Sequence, residues 1–239
     1  MTSSKGSGQT RDKRMHNQMN KGLLIVFEGI DGTGKSTQIS LLAIYLREKG
    51  FAVIETREPT NGQFGRQIRA LYTNRKGVSP EQELELFLAD RREHVHNVLI
   101  PALQEGKIVL CDRYFLSTAA YQGVVARSSA GAPEASDTKP AMAAGFSPAE
   151  IIARNSFAPT PDLALLFCVP PRLGIERITK GRGDTLNDFE QEATLQKVAA
   201  IFDSLELPYI KRINASGSIA SIHQSVLQAV TPFLPPHRP

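Results

Sequence analysis

One stretch constrains this chain more than any other. Leu23-Leu24-Ile25-Val26-Phe27 runs into Glu28-Gly29-Ile30-Asp31-Gly32-Thr33-Gly34-Lys35-Ser36-Thr37. A short, wholly apolar strand feeds a glycine loop, and the loop feeds a helix. Gly29, Gly34, Lys35 and Ser36 fit G-x-x-x-x-G-K-[ST], the phosphate-binding P-loop. Glycines let backbone N–H groups turn inward around anionic oxygens. A helix starting near Lys35 aims the positive end of its dipole at the same place. Lys35 adds a mobile charge for the outer phosphates, and the Ser36 hydroxyl can hold Mg²⁺. The context fits on both sides of the loop. Leu23–Phe27 reads as a central parallel strand. Gln38–Lys49 carries Ile39, Leu42, Ala43 and Leu46 at helical spacing before Gly50 stops it. The chain is therefore expected to bind a nucleoside triphosphate.

The basic balance of the chain does not point to nucleic acid. Residues 1–22 hold Lys5, Arg11, Lys13, Arg14 and Lys21 against Asp12 alone, which accounts for the whole net charge of +4. Residues 23–239 balance to zero, so the basicity is a tail and not a binding face. The tail, 1–21, is polar, lacks the apolar core of a secretory signal, and is expected to be disordered and to add little to function. It reads equally well as a flexible tail or as sequence ahead of a true start at Met15 or Met19. No apolar run is long enough to span a membrane. Cys111 and Cys168 form no C-x-x-C pair and read as small buried core residues. A cytoplasmic protein is expected.

Strand-like runs alternate with helical stretches: Leu23–Phe27, Ala52–Thr56, Ile108–Cys111, Leu163–Val169 and Pro208–Ile213, with a long amphipathic stretch from Pro80 to Gln104. This alternation predicts an α/β fold, a parallel sheet with helices on both faces. One domain, 22–239, covers everything beyond the tail. Residues 127–147, rich in Ala, Ser, Gly and Pro, read as a surface insertion, with a flap near the acceptor site as the other reading.

Two further clusters fall at the carboxyl ends of strands, where open parallel sheets bind ligands. They are Thr56-Arg57-Glu58-Pro59 and Asp112-Arg113-Tyr114. Two arginines facing Lys35 across one crevice call for an anion beyond the triphosphate, and a phosphate monoester suits them. Phe87 and Arg91, four apart, share a helix face. They read either as a base-stacking ring with a hydrogen-bonding guanidinium, or as a core residue beside a solvated charge. Ser117-Thr118-Ala119-Ala120-Tyr121-Gln122-Gly123 reads as a short polar helix after Arg113.

In order and at these intervals, the motifs resemble bacterial thymidylate kinases, P-loop nucleoside monophosphate kinases that phosphorylate dTMP with ATP. The resemblance spans roughly residues 22–213 and implies the P-loop NTPase fold, a five-stranded parallel sheet in the order 2-3-1-4-5 flanked by helices. By the same resemblance, Gly29, Ile30, Asp31, Gly32, Thr33, Gly34, Lys35, Ser36 and Thr37 hold the ATP phosphates. Asp31 sits near the acceptor sugar and phosphate, and Arg57 and Arg113 bind the acceptor phosphate and steady the transferring group. Lys35, Arg57, Arg113 and Asp31 are thus the implied catalytic set. Phe87 stacks on thymine and Arg91 reads its edge. Tyr121 presses on the sugar and disfavours a 2′-hydroxyl, while Ser117, Thr118 and Gln122 line the base pocket. Ser36 and Asp112 are the implied Mg²⁺ residues, Asp112 through water. A lid is expected at about 177–188, with Arg177 and Arg182 reaching ATP, and a solvated helix end is the other reading of that segment. A homodimer is implied as well.

The strand order carries a consequence for the thiols. The first strand would lie between those holding Cys111 and Cys168, and two steps of about 4.8 Å exceed disulfide reach. The chain departs from the family pattern in places. Thr60-Asn61-Gly62 follows the Arg-Glu-Pro motif where Gly-Gly is usual, Cys168 stands where many members have Asp, and the lid is short of arginine. Two other functions stay open: a kinase for another nucleoside monophosphate, and a P-loop protein that uses ATP as a switch ligand.

Overall fold

A computed structural model describes residues 22–75, 77–129, 146–182 and 192–235, without the side chains of 125–129 and 181–182. The expected tail (1–21), most of the expected insertion and the second half of the expected lid lie outside the described residues. Five strands form one parallel sheet: β1 (Leu23–Glu28), β2 (Val53–Arg57), β3 (Ile108–Asp112), β4 (Leu163–Cys168) and β5 (Ile210–Asn214). Their order is β2-β3-β1-β4-β5, as the resemblance implied. The helices are α1 (Lys35–Glu48), α2 (Gln63–Leu71), α3 (Pro80–His94), α4 (Ile100–Gln104), α5 (Phe115–Ser129), α6 (Pro148–Arg154), α7 (Pro171–Arg182), α8 (Glu192–Ser204) and α9 (Ile219–Val230).

The all-apolar run of β1 is explained by burial on both faces, since Leu24–Phe27 are at most 1% exposed. Side chains alternate across the sheet. Ile25, Phe27, Leu110 and Phe167 pack with Ile39, Leu42 and Leu46 of α1 and with Val226 of α9. Leu24, Val26, Val109 and Leu166 pack on the other face with Val95, Leu99, Tyr121 and Val198. The register aligns the carboxyl ends: Phe27 is the partner of Asp112, and Asp112 of Arg57. One row of the sheet therefore sets the end of β1, the acid at the end of β3 and the arginine at the end of β2 side by side.

Four sequence expectations change in detail. The stretch from Pro80 to Gln104 is not one helix. It passes through a π-helical turn, Val95–Leu99, before α4. Pro101, which has no N–H to continue the ladder, sits in the first turn of α4 and accounts for the reset. The polar helix after Arg113 is longer than Ser117–Gly123, and its backbone runs through Ser129, three residues into the expected insertion. Residues 177–182 of the expected lid belong to α7. The two cysteines are free, with β1 between their strands. Cys111 is buried, but Cys168 closes β4 at the carboxyl edge and is only half-buried, so it is not the core residue expected.

Candidate active site

The loop between β1 and α1 turns on glycines with positive φ, Gly29 at 128°, Gly32 at 75° and Gly34 at 87°. Two of these are also pressed against backbone. A Cβ on Gly29 would stand 2.4 Å from the Phe167 carbonyl, and one on Gly32 would stand 2.1 Å from that of Gly174 in α7. The P-loop thus rests on the end of β4 and the start of α7. The Lys35 ammonium donates to Ile30 O at 2.8 Å, Gly29 O at 3.1 Å and Thr33 Oγ1 at 3.2 Å. Burial, then the charge of Arg113, lowers its pKa to about 8. That coupling puts Lys35 and Arg113 in one electrostatic neighbourhood.

Arg113 follows β3 directly and is the one non-glycine residue with positive φ among those described, at 68°. Its backbone N–H donates to Phe27 O at 2.9 Å. Its guanidinium reaches over the end of β1. Nη1 donates to Ser117 Oγ at 3.0 Å, and Nη2 to Asp31 Oδ1 at 2.8 Å. Tyr121 donates its hydroxyl to Asp31 Oδ2 at 2.9 Å, and its ring lies under the guanidinium at 5.0 Å. Partial burial would raise the pKa of Asp31, but Arg113 and Lys35 outweigh it and hold the carboxyl down at about 2. Burial and the adjacent Asp31 push the Tyr121 phenol well above the usual tyrosine range, so it stays a neutral donor.

Beneath this cluster is a residue to which the sequence reading gave no role. Glu28 ends β1 fully buried. One oxygen accepts from Tyr114 N at 3.0 Å and the other from the Ser117 hydroxyl. It therefore braces Tyr114, next to Arg113 in the chain, and Ser117, which accepts from the Arg113 guanidinium. Burial raises its pKa to about 7, with the Ser117 hydrogen bond and Arg113 opposing. A lone carboxylate ending an apolar strand was the signal that could have revealed it.

Ser36, exposed in the first turn of α1, donates to Asp112 Oδ2 at 2.6 Å. Both line a cleft of about 610 Å³ together with Arg57, Thr60 and His94. Arg57 is exposed, and its side chain makes no hydrogen bond or ion pair among the described residues. Arg113, Asp31 and Lys35 thus form one charged cluster, while Arg57, Ser36 and Asp112 line the cleft, whose lining does not include Lys35, Asp31 or Arg113. A hydroxyl and a carboxylate are hard oxygen donors of the kind Mg²⁺ takes. Among the described residues no group of three or more His, Cys, Asp or Glu could cage a metal. An ion here would share its coordination with phosphates and water.

On the base side, α3 is capped by Ser79, whose side chain accepts from Gln82 N while Gln82 returns the bond. Phe87 is half-buried one turn before Arg91. Arg91 is no solvated charge, being 1% exposed. Its Nε donates to Glu58 Oε2 at 2.8 Å, Nη1 to Asn155 Oδ1 at 2.5 Å and Nη2 to Thr118 Oγ1 at 2.9 Å. Glu58, in a cis bond to Pro59, is held in turn by His94 Nδ1 at 2.8 Å, and His94 Nε2 lies 2.7 Å from Thr56 Oγ1. Burial would raise the pKa of Glu58, but Arg91 and His94 keep it below the usual carboxylate value. Gln122 donates to Glu83 Oε1 at 2.9 Å, leaving its own carbonyl buried without a partner among the described residues. Thr60, where the family pattern has glycine, anchors its loop to Asp90 by N–H and hydroxyl at 2.8 and 2.6 Å. Arg177 donates to Ala215 O at 2.8 Å in the loop after β5, and the side chain of Arg182 lies outside the described residues.

Comparison with known proteins agrees with this geometry. Residues 27–148 and 141–226 match the family model described as thymidylate kinase. A thymidylate kinase of Desulfotalea psychrophila is 54% identical over 215 residues, 90% of this chain and 97% of that protein. A thymidylate kinase of Xanthomonas campestris pv. campestris (strain B100) is 42% identical, covering 84% of this chain and 79% of its own length. One of Xylella fastidiosa (strain M23) is 38% identical over 92% of both. On its fold, its phosphate loop and these relatives, this chain belongs to the thymidylate kinase family.

Proposed function

We propose that the protein transfers the γ-phosphate of ATP to dTMP, giving dTDP and ADP. One observation carries the reading. Beyond the P-loop lysine stands a second, pre-set cation, Arg113, fixed by Ser117 and Asp31 at 3.0 and 2.8 Å. A protein that used ATP only as a switch ligand would not need it.

The chemistry needs no general base. A phosphate monoester has its second pKa near 6, so the acceptor is largely a dianion at neutral pH. What it needs is relief from repulsion by the γ-phosphate, and alignment with it. Lys35 and Arg113 supply charge already in place, so little reorganisation is needed as the phosphates meet. Arg57, exposed at the end of β2, closes on the acceptor phosphate from that side. Ser36 and Asp112 would hold Mg²⁺, which when bound neutralises charge on the β- and γ-phosphates. Gly29–Thr37 carry the ATP phosphates. Asp31 and Tyr121 orient the acceptor sugar, and Tyr121 disfavours a 2′-hydroxyl. Phe87 stacks on the base, Arg91 reads its edge, and Ser117, Thr118 and Gln122 complete the pocket.

The rest of the reading is by family likeness: Arg177 and Arg182 serve a lid over ATP spanning about 177–188, and the enzyme works as a homodimer in the cytoplasm. Its partners are ATP and dTMP and not nucleic acid, in keeping with the balanced charge of residues 23–239. No described helix is long and apolar enough to cross a membrane. The test is ADP release by purified protein with ATP, Mg²⁺ and each monophosphate in turn. Turnover that requires dTMP supports the reading, and turnover indifferent to every acceptor overturns it.

A further inference from the structure

Arg91 carries base reading in the function proposed above, and its guanidinium is nearly used up. Nε and Nη2 lie 2.8 and 2.6 Å from Glu58 Oε2, and Nη2 also reaches Thr118. Nη1 donates to Asn155 Oδ1 at 2.5 Å. A guanidinium has five N–H groups. Three donate in hydrogen bonds to Glu58, Asn155 and Thr118, Nη2 also lies against Glu58 Oε2 as an ion pair, and Nη1 keeps a second N–H.

Asn155 is built to present an oxygen there. It is 2% exposed, and its Nδ2 donates to Ile151 O at 2.7 Å. Turning the amide over would set its NH₂ against the guanidinium and its oxygen against a carbonyl. Asn155 closes α6, whose start is fixed by the Ser147–Glu150 capping box. Ile151 packs with Leu84 and Leu88 of α3 and Ala119 of α5. On the outside, Arg154 pairs with Glu81 at 2.6 Å. The helix is thus held independently of Asn155, which extends inward from it to Arg91.

We propose that Asn155 is a positioning residue that sets pyrimidine selectivity. By occupying one N–H of Arg91 Nη1, it turns the other toward the acceptor base. That N–H donates to a carbonyl oxygen at the pyrimidine 4-position and opposes an amino group there. The inference rests on Arg91 reading the base edge.

The test compares dTMP and dCMP as acceptors for wild type, Asn155→Ala, Asn155→Asp and Arg154→Ala. A site that hydrogen-bonds its ligand loses discrimination when the geometry of the bond is released. Asn155→Ala is expected to raise KM for dTMP about tenfold and to lower the preference for dTMP over dCMP by a similar factor. kcat and KM for ATP should stay within about threefold of wild type. Asn155→Asp keeps the acceptor oxygen toward Nη1 but sets its other oxygen against the Ile151 carbonyl, so it should restore the dTMP KM in part, while Arg154→Ala leaves selectivity unchanged. If Asn155→Ala does not fold, Asn155→Ser, whose hydroxyl is too short to reach Nη1, is read in the same way. An Asn155 variant with lower thermal stability but unchanged dTMP KM and selectivity overturns the inference alone. A wild-type protein without dTMP-dependent turnover overturns the function it rests on as well.

Discussion

Ser36 donates its hydroxyl to Asp112 across 2.6 Å, joining the first turn of α1 to the last residue of β3. These are the two oxygens proposed to hold Mg²⁺, and each is already oriented by the other. Asp112→Asn keeps the hydrogen bond and removes the charge. Turnover is expected to fall about 100-fold, with a higher Mg²⁺ requirement, as when one electrostatic stabiliser is lost. A Mg²⁺ titration of ADP release measures both effects, and ATP binding without metal should be unchanged.

Arg113 is fixed at two points by Ser117 and Asp31, so its position is specific to a forked cation. Arg113→Ala should slow turnover about 10³-fold while ATP still binds, the scale at which a transition-state arginine acts. Arg113→Lys should recover little, because one ammonium cannot span both partners. Loss of ATP binding with acceptor chemistry intact would contradict this assignment.

Lys35 gives the pH dependence of ATP capture. Its pKa is lowered to about 8, chiefly by burial and by Arg113. The ammonium that phosphate needs is present below that pH and lost above it. kcat/KM for ATP is therefore expected to decline as pH rises through about 8. Lys35→Arg, which does not titrate there, should lack the decline even if its overall activity is lower. A pH profile measured on both proteins decides the point.

Glu28 makes a separate prediction about stability. Its folded pKa is raised from 4.5 to about 7, so folding favours the protonated acid. The stability this confers is full below 4.5 and is lost as pH rises through 7, amounting to about 3 kcal/mol across the window. Asp31 and Glu58, whose folded pKa values are lowered, act in the acid range and leave this window alone. Urea unfolding at pH 5 and pH 8 should show Glu28→Gln gaining stability relative to wild type as pH rises. Parallel curves for the two proteins would rule out the assignment.

The sequence by itself determined what short-range physics can determine. Glycines at 29, 32 and 34 announce positive φ, and the apolar run before them announces a buried strand, because backbone sterics and side-chain periodicity act within a few residues. The five strands and the residue types at their carboxyl ends were legible on that basis, and the strand order came only from the family resemblance. The break at Val95–Leu99 was hidden although Pro101 was in view, since a proline can end, kink or reset a helix and neighbouring packing selects among these. Tertiary structure alone decided the partners of the buried polar groups. Taken by itself Arg91 looked more like a solvated surface charge than a base reader, until Glu58 and Asn155, 33 and 64 residues away, were seen to close around it. Glu28 stood in plain sight within the P-loop motif, but its role appears only when β3 delivers Tyr114 and Ser117 to its two oxygens. A buried charge must find its hydrogen bonds wherever packing puts them, and that choice is made by the whole fold and not by the residues beside it in the chain.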